Sequence, residues 1–264
     1  MTTPLSNAQI AQAAEAVADA YRNNTVMDDL PPGCMPETVA DARAIQDRLA
    51  GFLGPAIGWK VGHGNPAMRK RLGEGVPSIG RLFEGMVVES PATISRSILE
   101  NPFVEGELAV RLGSDLPPRD GDYSVDEVLD AIDAVMPAIE FAEVRNRNFT
   151  DMSVLGLIVF NAGAFRLILG PEIADWRRAP IMELTAQLVL DGDTVTTEFT
   201  DEQRTDYAWV MHFLANDLSR RGIGLTAGQI VSTGVILKYF PLGATSEAVF
   251  NVDGVGEARL KIEP

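Results

Sequence analysis

The amino-acid sequence predicts an α+β fold, with helices in the first 55 residues and strands recurring through the rest of the chain. Ser6 and Gln9 form a capping box ahead of apolar residues at helical spacing, which predicts a first helix. A Pro-rich stretch at residues 31–36 separates it from a second helical stripe over residues 39–53. From Gly58 onward, short apolar runs alternate with Gly and Pro, a texture typical of strands and turns.

The same patterns predict the later elements. Ser124 and Glu127 form a second capping box, which predicts a third helix. The apolar stripe of that helix comprises Val128, Leu129, Ile132 and Val135. A hairpin is predicted over residues 184–197 with its turn at 191–193, and a fourth helix over residues 207–221. Strands are also predicted at residues 230–234, 248–252 and 258–262. We expect one domain over residues 1–264, with 1–55 as a helical N-terminal portion and a mixed sheet system.

Composition limits the class of protein. The 37 acidic residues against 22 basic ones would repel nucleic acid and anionic lipid, so neither nucleic acid nor a membrane is an expected partner. The single cysteine, Cys34, cannot form an internal disulfide, which fits a reducing compartment. Neither a signal-peptide pattern nor an 18-residue apolar run is present, so we expect a cytoplasmic protein.

The segment from Phe103 to Leu112 holds the most informative motif. On a strand, alternate residues share a face, so Glu105 and Glu107 lie together, opposite an apolar face. Their Cα atoms are then roughly 7 Å apart, and a cation between them would favour the ionised form of both. Gly106 allows close approach to the opposite face.

A third acid, Glu140, interrupts an apolar run and needs a partner, because an isolated buried carboxylate is costly. Three carboxylates suit a hard cation such as Mg²⁺ or Mn²⁺. An equally weighted alternative is that the two strand glutamates form the solvated face of an edge strand, with Glu140 in a salt bridge.

Other polar residues are less specific. Lys60 lies among glycines and apolar residues, where it could bind an anion, although a lysine reaching solvent is the commoner case. Thr233 ends an apolar strand, either as an ordinary turn residue or with its amide and hydroxyl aimed at a ligand carboxylate. His63 and His212 are the only histidines, and they predict neither a His-rich metal site nor a Ser-His-Asp arrangement.

A succession of motifs over nearly the whole chain resembles the 2-keto-4-pentenoate hydratase and 4-oxalocrotonate decarboxylase family, within the fumarylacetoacetate hydrolase superfamily. The motifs are Gly58-Trp59-Lys60-Val61-Gly62, Pro77-Ser78-Ile79-Gly80-Arg81-Leu82, Val104-Glu105-Gly106-Glu107-Leu108-Ala109, Pro137-Ala138-Ile139-Glu140, Asn161-Ala162, Leu225-Thr226-Ala227-Gly228 and Ser232-Thr233-Gly234. The resemblance implies a mixed β-roll of the fumarylacetoacetate hydrolase C-terminal type and a homo-oligomer.

The resemblance also implies the chemistry. It assigns Mg²⁺ or Mn²⁺ to Glu105, Glu107 and Glu140, and a catalytic role to Lys60. The substrate would be a small 2-oxo acid or its enol, such as a 2-hydroxy-2,4-dienoate that is ketonised and then hydrated, with the cation acting as a Lewis acid. The implied substrate-binding residues are Ser78, Arg145, Asn161 and Thr233.

The chain departs from the family pattern at several positions. Ser78 stands where many hydratases have Asp, Glu143 replaces the Asp of an E-x-x-D-S-R segment, and Phe160 replaces the Asp before Asn-Ala. Phe160 and Trp209 predict a more apolar pocket and a larger substrate, if those positions line it. Hydratase is the leading reaction. The alternatives are decarboxylation of a 2-oxo diacid, another enol-forming lyase reaction, or a non-catalytic partner subunit assembled with a homologous hydratase or decarboxylase.

Overall fold

The computed structural model describes residues 4–71, 77–100, 102–149, 152–195 and 200–264. The helices are α1 (Asn7–Asn23), α2 (Val39–Leu53), α3 (Pro66–Arg71), α4 (Val125–Asp130), α5 (Val154–Val159) and α6 (Tyr207–Arg220). The strands are β1 (Gly58–Gly62), β2 (Ser78–Leu82), β3 (Val87–Glu89), β4 (Ala92–Ser95), β5 (Phe103–Leu112), β6 (Ile132–Ala142), β7 (Arg166–Leu169), β8 (Ala186–Leu190), β9 (Asp193–Thr194), β10 (Ile230–Val235), β11 (Phe240–Pro241), β12 (Glu247–Val252) and β13 (Gly256–Glu263). None of the helices in these ranges has the length and apolar character needed to cross a bilayer.

The strands of the described ranges form two sheets. The larger has the order β2-β1-β10-β5-β6-β7-β3, with β11 also paired to β5, and the smaller has the order β4-β13-β12-β8-β9. Parallel pairing joins β1 to β10, β3 to β7 and β4 to β13, whereas the remaining neighbours are antiparallel. Both sheets are therefore mixed, and the α+β prediction is confirmed.

Residues of β5 alternate between two cores. Val104, Leu108 and Val110 are buried in an apolar cluster that also contains residues of β12 and β13, so this face of the larger sheet packs on the smaller one. Ala109 points the other way, into a second cluster with α1 and α2. A Cβ on Gly106 would lie only 2.6 Å from the ring of Phe250, which confirms the predicted close approach.

The N-terminal helices cover part of the second face. The capping box at Ser6 begins α1 as predicted. The side-chain amide of Gln46 on α2 donates to the carbonyls of Ile79 (2.6 Å) and Ile158 (3.0 Å), which fastens α2 to β2 and α5. Tyr21 of α1 donates from its hydroxyl to the carbonyl of Ala164 at 3.1 Å. Polar contacts as well as apolar packing thus join α1 and α2 to the rest of the fold.

The third predicted helix is wrong in its second half. It ends at Asp130, and Ile132 and Val135 belong to β6. The spacing of these apolar residues is compatible with a helix, but β-branched residues also favour a strand, and pairing with β5 decides the outcome. Helix α3 was not predicted, because it lies in a stretch that was interpreted as strands and turns. Residues 196–197 of the predicted hairpin lie outside the described residues.

Candidate metal centre

Two neighbouring antiparallel strands supply the three predicted metal ligands. Glu105 of β5 lies directly opposite Glu140 of β6, and Glu107 follows two residues later on the same face. One carboxylate oxygen from each residue lies within 4.8 Å of those of the other two. The alternation of β5 and the strand register therefore bring together three side chains that the sequence grouped only as candidates.

Lys60 reaches the same place from a distant strand. Its ammonium group is in ion-pair contact with Glu140 Oε1, although β10 and β5 lie between their two strands. Three strand spacings amount to about 14 Å on a flat sheet, more than these two side chains can span. The larger sheet must curl around this face, and the fold is a curled half-barrel with the carboxylates on its concave side.

Glu107 is held by groups that the sequence did not identify. The hydroxyl of Ser232 and the backbone N–H of Gly234, at 3.0 Å, both donate to Glu107 Oε2. Ser232 pairs with Lys60 in the parallel ladder of β1 and β10, so its side chain shares the concave face. These donors orient one carboxylate oxygen and leave Oε1 to face the other glutamates.

The site carries excess negative charge. Burial and the neighbouring charge of Glu140 raise the pKa of Glu105 to about 8, and the same two causes raise the pKa of Glu107 well above its ordinary value. Burial would lower the pKa of Lys60, but the attraction of Glu140, followed by that of Glu105 and Glu107, leaves it raised. Lys60 is therefore an ammonium ion facing three buried carboxyl groups.

The donor set fits a hard divalent cation. Glu140 Oε2 is buried and accepts no hydrogen bond from any residue that the structure describes. A buried carboxylate oxygen without a partner is costly, and a cation between Glu105, Glu107 and Glu140 would satisfy it. All-oxygen ligation by carboxylates suits Mg²⁺ or Mn²⁺.

Ser78 lies near this centre. It is 2% exposed and pairs with Gly62 in the antiparallel ladder, two positions along from the pair that Lys60 makes with Gly80. Because alternate residues share a face, Ser78 and Lys60 project from the same side of the sheet. His63, to which the sequence analysis assigned no role, has its Nδ1 atom 3.1 Å from Ser78 Oγ.

Two other predicted substrate-binding side chains are engaged with the backbone. Asn161 accepts from the N–H of Arg81 at 2.7 Å and donates to its carbonyl at 2.8 Å, which uses both ends of the amide. Thr233 donates from its hydroxyl to the carbonyl of Leu108 at 2.8 Å. Asn161 thus braces β2, the strand of Ser78, and Thr233 braces β5, the strand of Glu105 and Glu107.

Arg145 is fully buried and lies 3.3 Å from Glu143 in an ion pair. Its guanidinium also stacks on the ring of Phe165, 4.6 Å from the centroid. Burial raises the pKa of Tyr21 to about 12, and the positive charges of Arg145 and Lys60 act in the opposite direction. Tyr21 brings α1 to the edge of the site, a role hidden in the sequence because the residue belongs to an ordinary apolar stripe.

The two aromatic departures occupy different environments. Phe160 is 2% exposed and packs in the cluster beneath α1 and α2, so it is a core residue. Trp209 stacks on Phe213 and lies under the guanidinium of Arg69, 3.8 Å from its ring centroid. The prediction of a more apolar pocket and a larger substrate stays a prediction.

A cavity of about 390 Å³ opens at the start of β5. Its walls include Phe103 and Phe149, whose rings meet edge to face at 5.6 Å. Phe103 is two residues from Glu105 and therefore points to the same face of the strand. Aromatic surface lies beside the carboxylates at this end.

A curled mixed sheet with three inward carboxyl groups and an ion-paired lysine forms a candidate metal centre of the carboxylate type on a β-roll. The fumarylacetoacetate (FAA) hydrolase C-terminal family model matches residues 82–263, well over half of the chain. The chain therefore belongs to the FAA hydrolase C-terminal family, and the family and fold predictions are confirmed.

Curated relatives extend this match to the N-terminal helices. The 2-keto-4-pentenoate hydratase of Paraburkholderia xenovorans strain LB400 is 26% identical over 256 residues, covering 96% of this chain and 94% of its own. The 4-oxalocrotonate decarboxylase of Pseudomonas sp. strain CF600 is 24% identical over 263 residues, covering 97% of each chain. These relatives are enzymes, and the prediction of an enzyme is confirmed.

Solved structures show the same fold. The 4-oxalocrotonate decarboxylase from Pseudomonas putida G7, complexed with magnesium and adipate, superposes with a TM-score of 0.87 at 23% identity, over 99% of this chain and all of that one. The fumarylpyruvate hydrolase from Pseudomonas aeruginosa, in complex with Mn²⁺ and pyruvate, has a TM-score of 0.54 at 18% identity and covers 78% of this chain and 88% of that one.

Proposed function

We propose that this chain is a divalent-metal-dependent lyase that acts on a small 2-oxo acid or its enol, with hydration of a 2-hydroxy-2,4-dienoate as the leading reaction. The observation that carries the proposal is the meeting of Glu105, Glu107 and Glu140 with the ammonium of Lys60 on one concave face. The full-length similarity to hydratases supports the reaction class.

The proposed cation is Mg²⁺ or Mn²⁺, held by Glu105, Glu107 and Glu140. When bound, it supplies Lewis-acid stabilisation of the negative charge that develops on an enol oxygen. Lys60 is a cation in its own right and donates hydrogen bonds, so we assign it the binding of the substrate's negative charge next to the metal.

The remaining assignments follow from where the side chains lie. We assign Ser78 to the substrate-facing wall, which its position on the sheet face of Lys60 supports. Asn161 and Thr233 shape the wall by bracing its strands. Arg145 is assigned a buried positive charge behind the substrate site. We further propose that residues 1–264 act as one domain and that the chain assembles as a homo-oligomer in the cytoplasm.

Decarboxylation is the second candidate, because decarboxylases align with the chain over 97% of both lengths. The two reactions differ in product: hydration adds water, whereas decarboxylation releases CO₂ from a substrate with a second carboxylate. A non-catalytic subunit partnered with a homologous hydratase or decarboxylase is the third alternative. The buried charges of Lys60 and the three glutamates count against it, since a scaffold has no need of them.

Turnover by the purified protein tests the proposal. With saturating Mg²⁺ or Mn²⁺, we expect it to consume 2-hydroxypenta-2,4-dienoate without release of CO₂, and Lys60→Met should lower kcat by about 10²-fold, the scale of a positioned charged group. Lys238→Met removes an exposed lysine and is the matched control. CO₂ release from a 2-oxo diacid would favour the decarboxylase, whereas inactivity on both substrates would contradict a catalytic role.

A further inference from the structure

His63 and Ser78 form a hydrogen-bonded pair between solvent and the concave face. The Nδ1 atom of His63 lies 3.1 Å from Ser78 Oγ. Ser78 is 2% exposed, whereas the His63 side chain is partly exposed at the end of β1. The pair therefore links a buried hydroxyl to an imidazole that water reaches.

Gly62 and Gly80 lie beside Ser78 on the sheet face of Lys60. A Cβ on Gly62 would lie 2.8 Å from Ser78 Oγ, so a side chain there would displace or cover the hydroxyl. A Cβ on Gly80 would lie 2.9 Å from Lys60 Cγ. Because these positions carry no side chains, Ser78 and Lys60 supply polar side chains on this part of the sheet face, next to the Asn161 carbonyl, which a Cβ on Gly80 would overlap.

The backbone of His63 turns the imidazole towards β2. His63 has a φ of 61°, in the left-handed region that non-glycine residues enter at a cost. It follows directly on β1, and its ring then meets the first residue of the neighbouring strand β2. The strained conformation thus coincides with a specific polar contact.

We propose that Ser78 and His63 form a proton relay that delivers a proton to a carbon of the enolate, a role that rests on the proposed function. A serine hydroxyl by itself is a poor acid and base near neutral pH, whereas imidazole exchanges protons in that range. The Nδ1 contact works in both directions, because Ser78 donates to a neutral ring and accepts from a protonated one. Ser78 would be the catalytic residue, and His63 would act through it.

Every proton transferred in this step has a donor and an acceptor. The enol O–H proton leaves to water as the enolate forms. The π electrons of the enolate then make a new C–H bond with the Ser78 hydroxyl proton, and C2–O becomes a carbonyl. The Ser78 oxygen regains a proton from Nδ1–H of the His63 imidazolium, and the partly exposed imidazole takes one from water.

A double-mutant cycle tests the relay. Ser78→Ala and His63→Gln should each lower kcat on 2-hydroxypenta-2,4-dienoate by about 10²-fold, with KM and the Mn²⁺-induced rise in melting temperature unchanged. The double variant should be no slower than the slower single variant, because groups that act as a unit are non-additive. Formation of the new C–D bond in D₂O, followed by NMR, should slow by the same factor.

Rescue and control variants separate a relay from a structural role. Ser78→Asp in the His63→Gln background should recover most of the lost turnover, since a carboxyl group carries the proton without help. His212→Gln changes the only other histidine, which contacts the carbonyl of Tyr123, and Ser246→Ala removes an exposed hydroxyl bonded to Asp191. Both controls should keep wild-type turnover.

The outcomes that contradict the relay differ from the outcome that contradicts the proposed function. If the wild-type protein turns over substrate and His63→Gln matches it, the relay is wrong and the proposed function stands. If the two losses multiply in the double variant, the residues act independently and the relay is again wrong. A wild-type protein that binds Mn²⁺ but turns over no 2-hydroxydienoate would overturn the proposed function and the relay with it.

Discussion

Glu107 differs from its two partner glutamates in how its carboxylate is held. Ser232 and Gly234 donate to one of its oxygens, so a single oxygen remains for a cation. Glu140 is paired with Lys60 at Oε1, and its other oxygen, Oε2, has no hydrogen-bond partner within the described part of the chain. Glu107 is therefore the ligand whose replacement has the most predictable geometry.

Glu107→Gln should weaken the response to metal while preserving the fold. The amide oxygen would remain with the donors from Ser232 and Gly234, which turns the NH₂ group, a non-ligand, towards the cation. Saturating Mn²⁺ should raise the melting temperature of the wild-type protein, with about 2.7 kcal/mol expected at a concentration 100 times Kd. The shift should shrink severalfold in the variant, as measured by thermal unfolding with and without EDTA.

Glu257→Gln supplies the matched control, because Glu257 is an exposed glutamate that forms an ion pair with Arg259. Its Mn²⁺ response should equal that of the wild-type protein. A wild-type melting temperature that ignores saturating Mg²⁺ and Mn²⁺ would count against the metal centre itself.

At the scale of elements, β5 joins the metal centre to the packing of the two sheets. Its odd-numbered positions carry Glu105 and Glu107, while the backbone of Gly106 between them lies against Phe250 of β12. A displacement of β5 by β12 would therefore move both ligands together.

Gly106→Ala should destabilise the protein by about 1–3 kcal/mol, the usual cost of overpacking, because its Cβ would lie 2.6 Å from the Phe250 ring. The Mn²⁺ response should fall as well. Gly51→Ala is the control: no atom lies within 4 Å of its Cβ on α2, and replacing a helical glycine should stabilise by about 0.4–1 kcal/mol. Urea unfolding of the two variants measures both signs, and equal stabilities would refute the role of the Phe250 contact.

Local patterns predicted β5 well but not its partners. Alternation alone placed Glu105 and Glu107 on one face, and the cost of an isolated buried carboxylate singled out Glu140. The donor Ser232 was missed because its contact with Glu107 depends on β10 pairing with β5, and the two residues are 125 positions apart. Similarly, the apolar spacing after Asp130 fits a longer helix, and the pairing of β6 with β5 decides against it.

Ionisation of the glutamates in the proposed metal centre should make the stability of the whole molecule depend on pH. In the folded state without metal, the pKa of Glu105 is about 8, raised by burial and by Glu140, against an ordinary value of 4.5. A group whose pKa is raised on folding contributes stability below its unfolded pKa, and that contribution is lost as pH rises through the folded value.

The free energy of unfolding of the metal-free protein should therefore decrease between about pH 4.5 and 8. Over the same range the stabilisation by Mn²⁺ should increase, because protons compete with the cation for the carboxylates. Urea unfolding in EDTA and in Mn²⁺ at several pH values checks both trends. Glu105→Gln should flatten the metal-free trend, and a metal-free protein that gains stability up to pH 8 would contradict the buried, mutually repelling carboxylates.

The order of strands in the larger sheet predicts which positions tolerate substitution. Glu105, Glu107 and Glu140 lie on its central strands β5 and β6, whereas Ser78 begins the edge strand β2. A substitution on an edge strand disturbs one neighbour, while one at the centre disturbs two. Apart from Ser78, residues at the margin of the sheet can therefore vary with little risk to the proposed cation site at its centre.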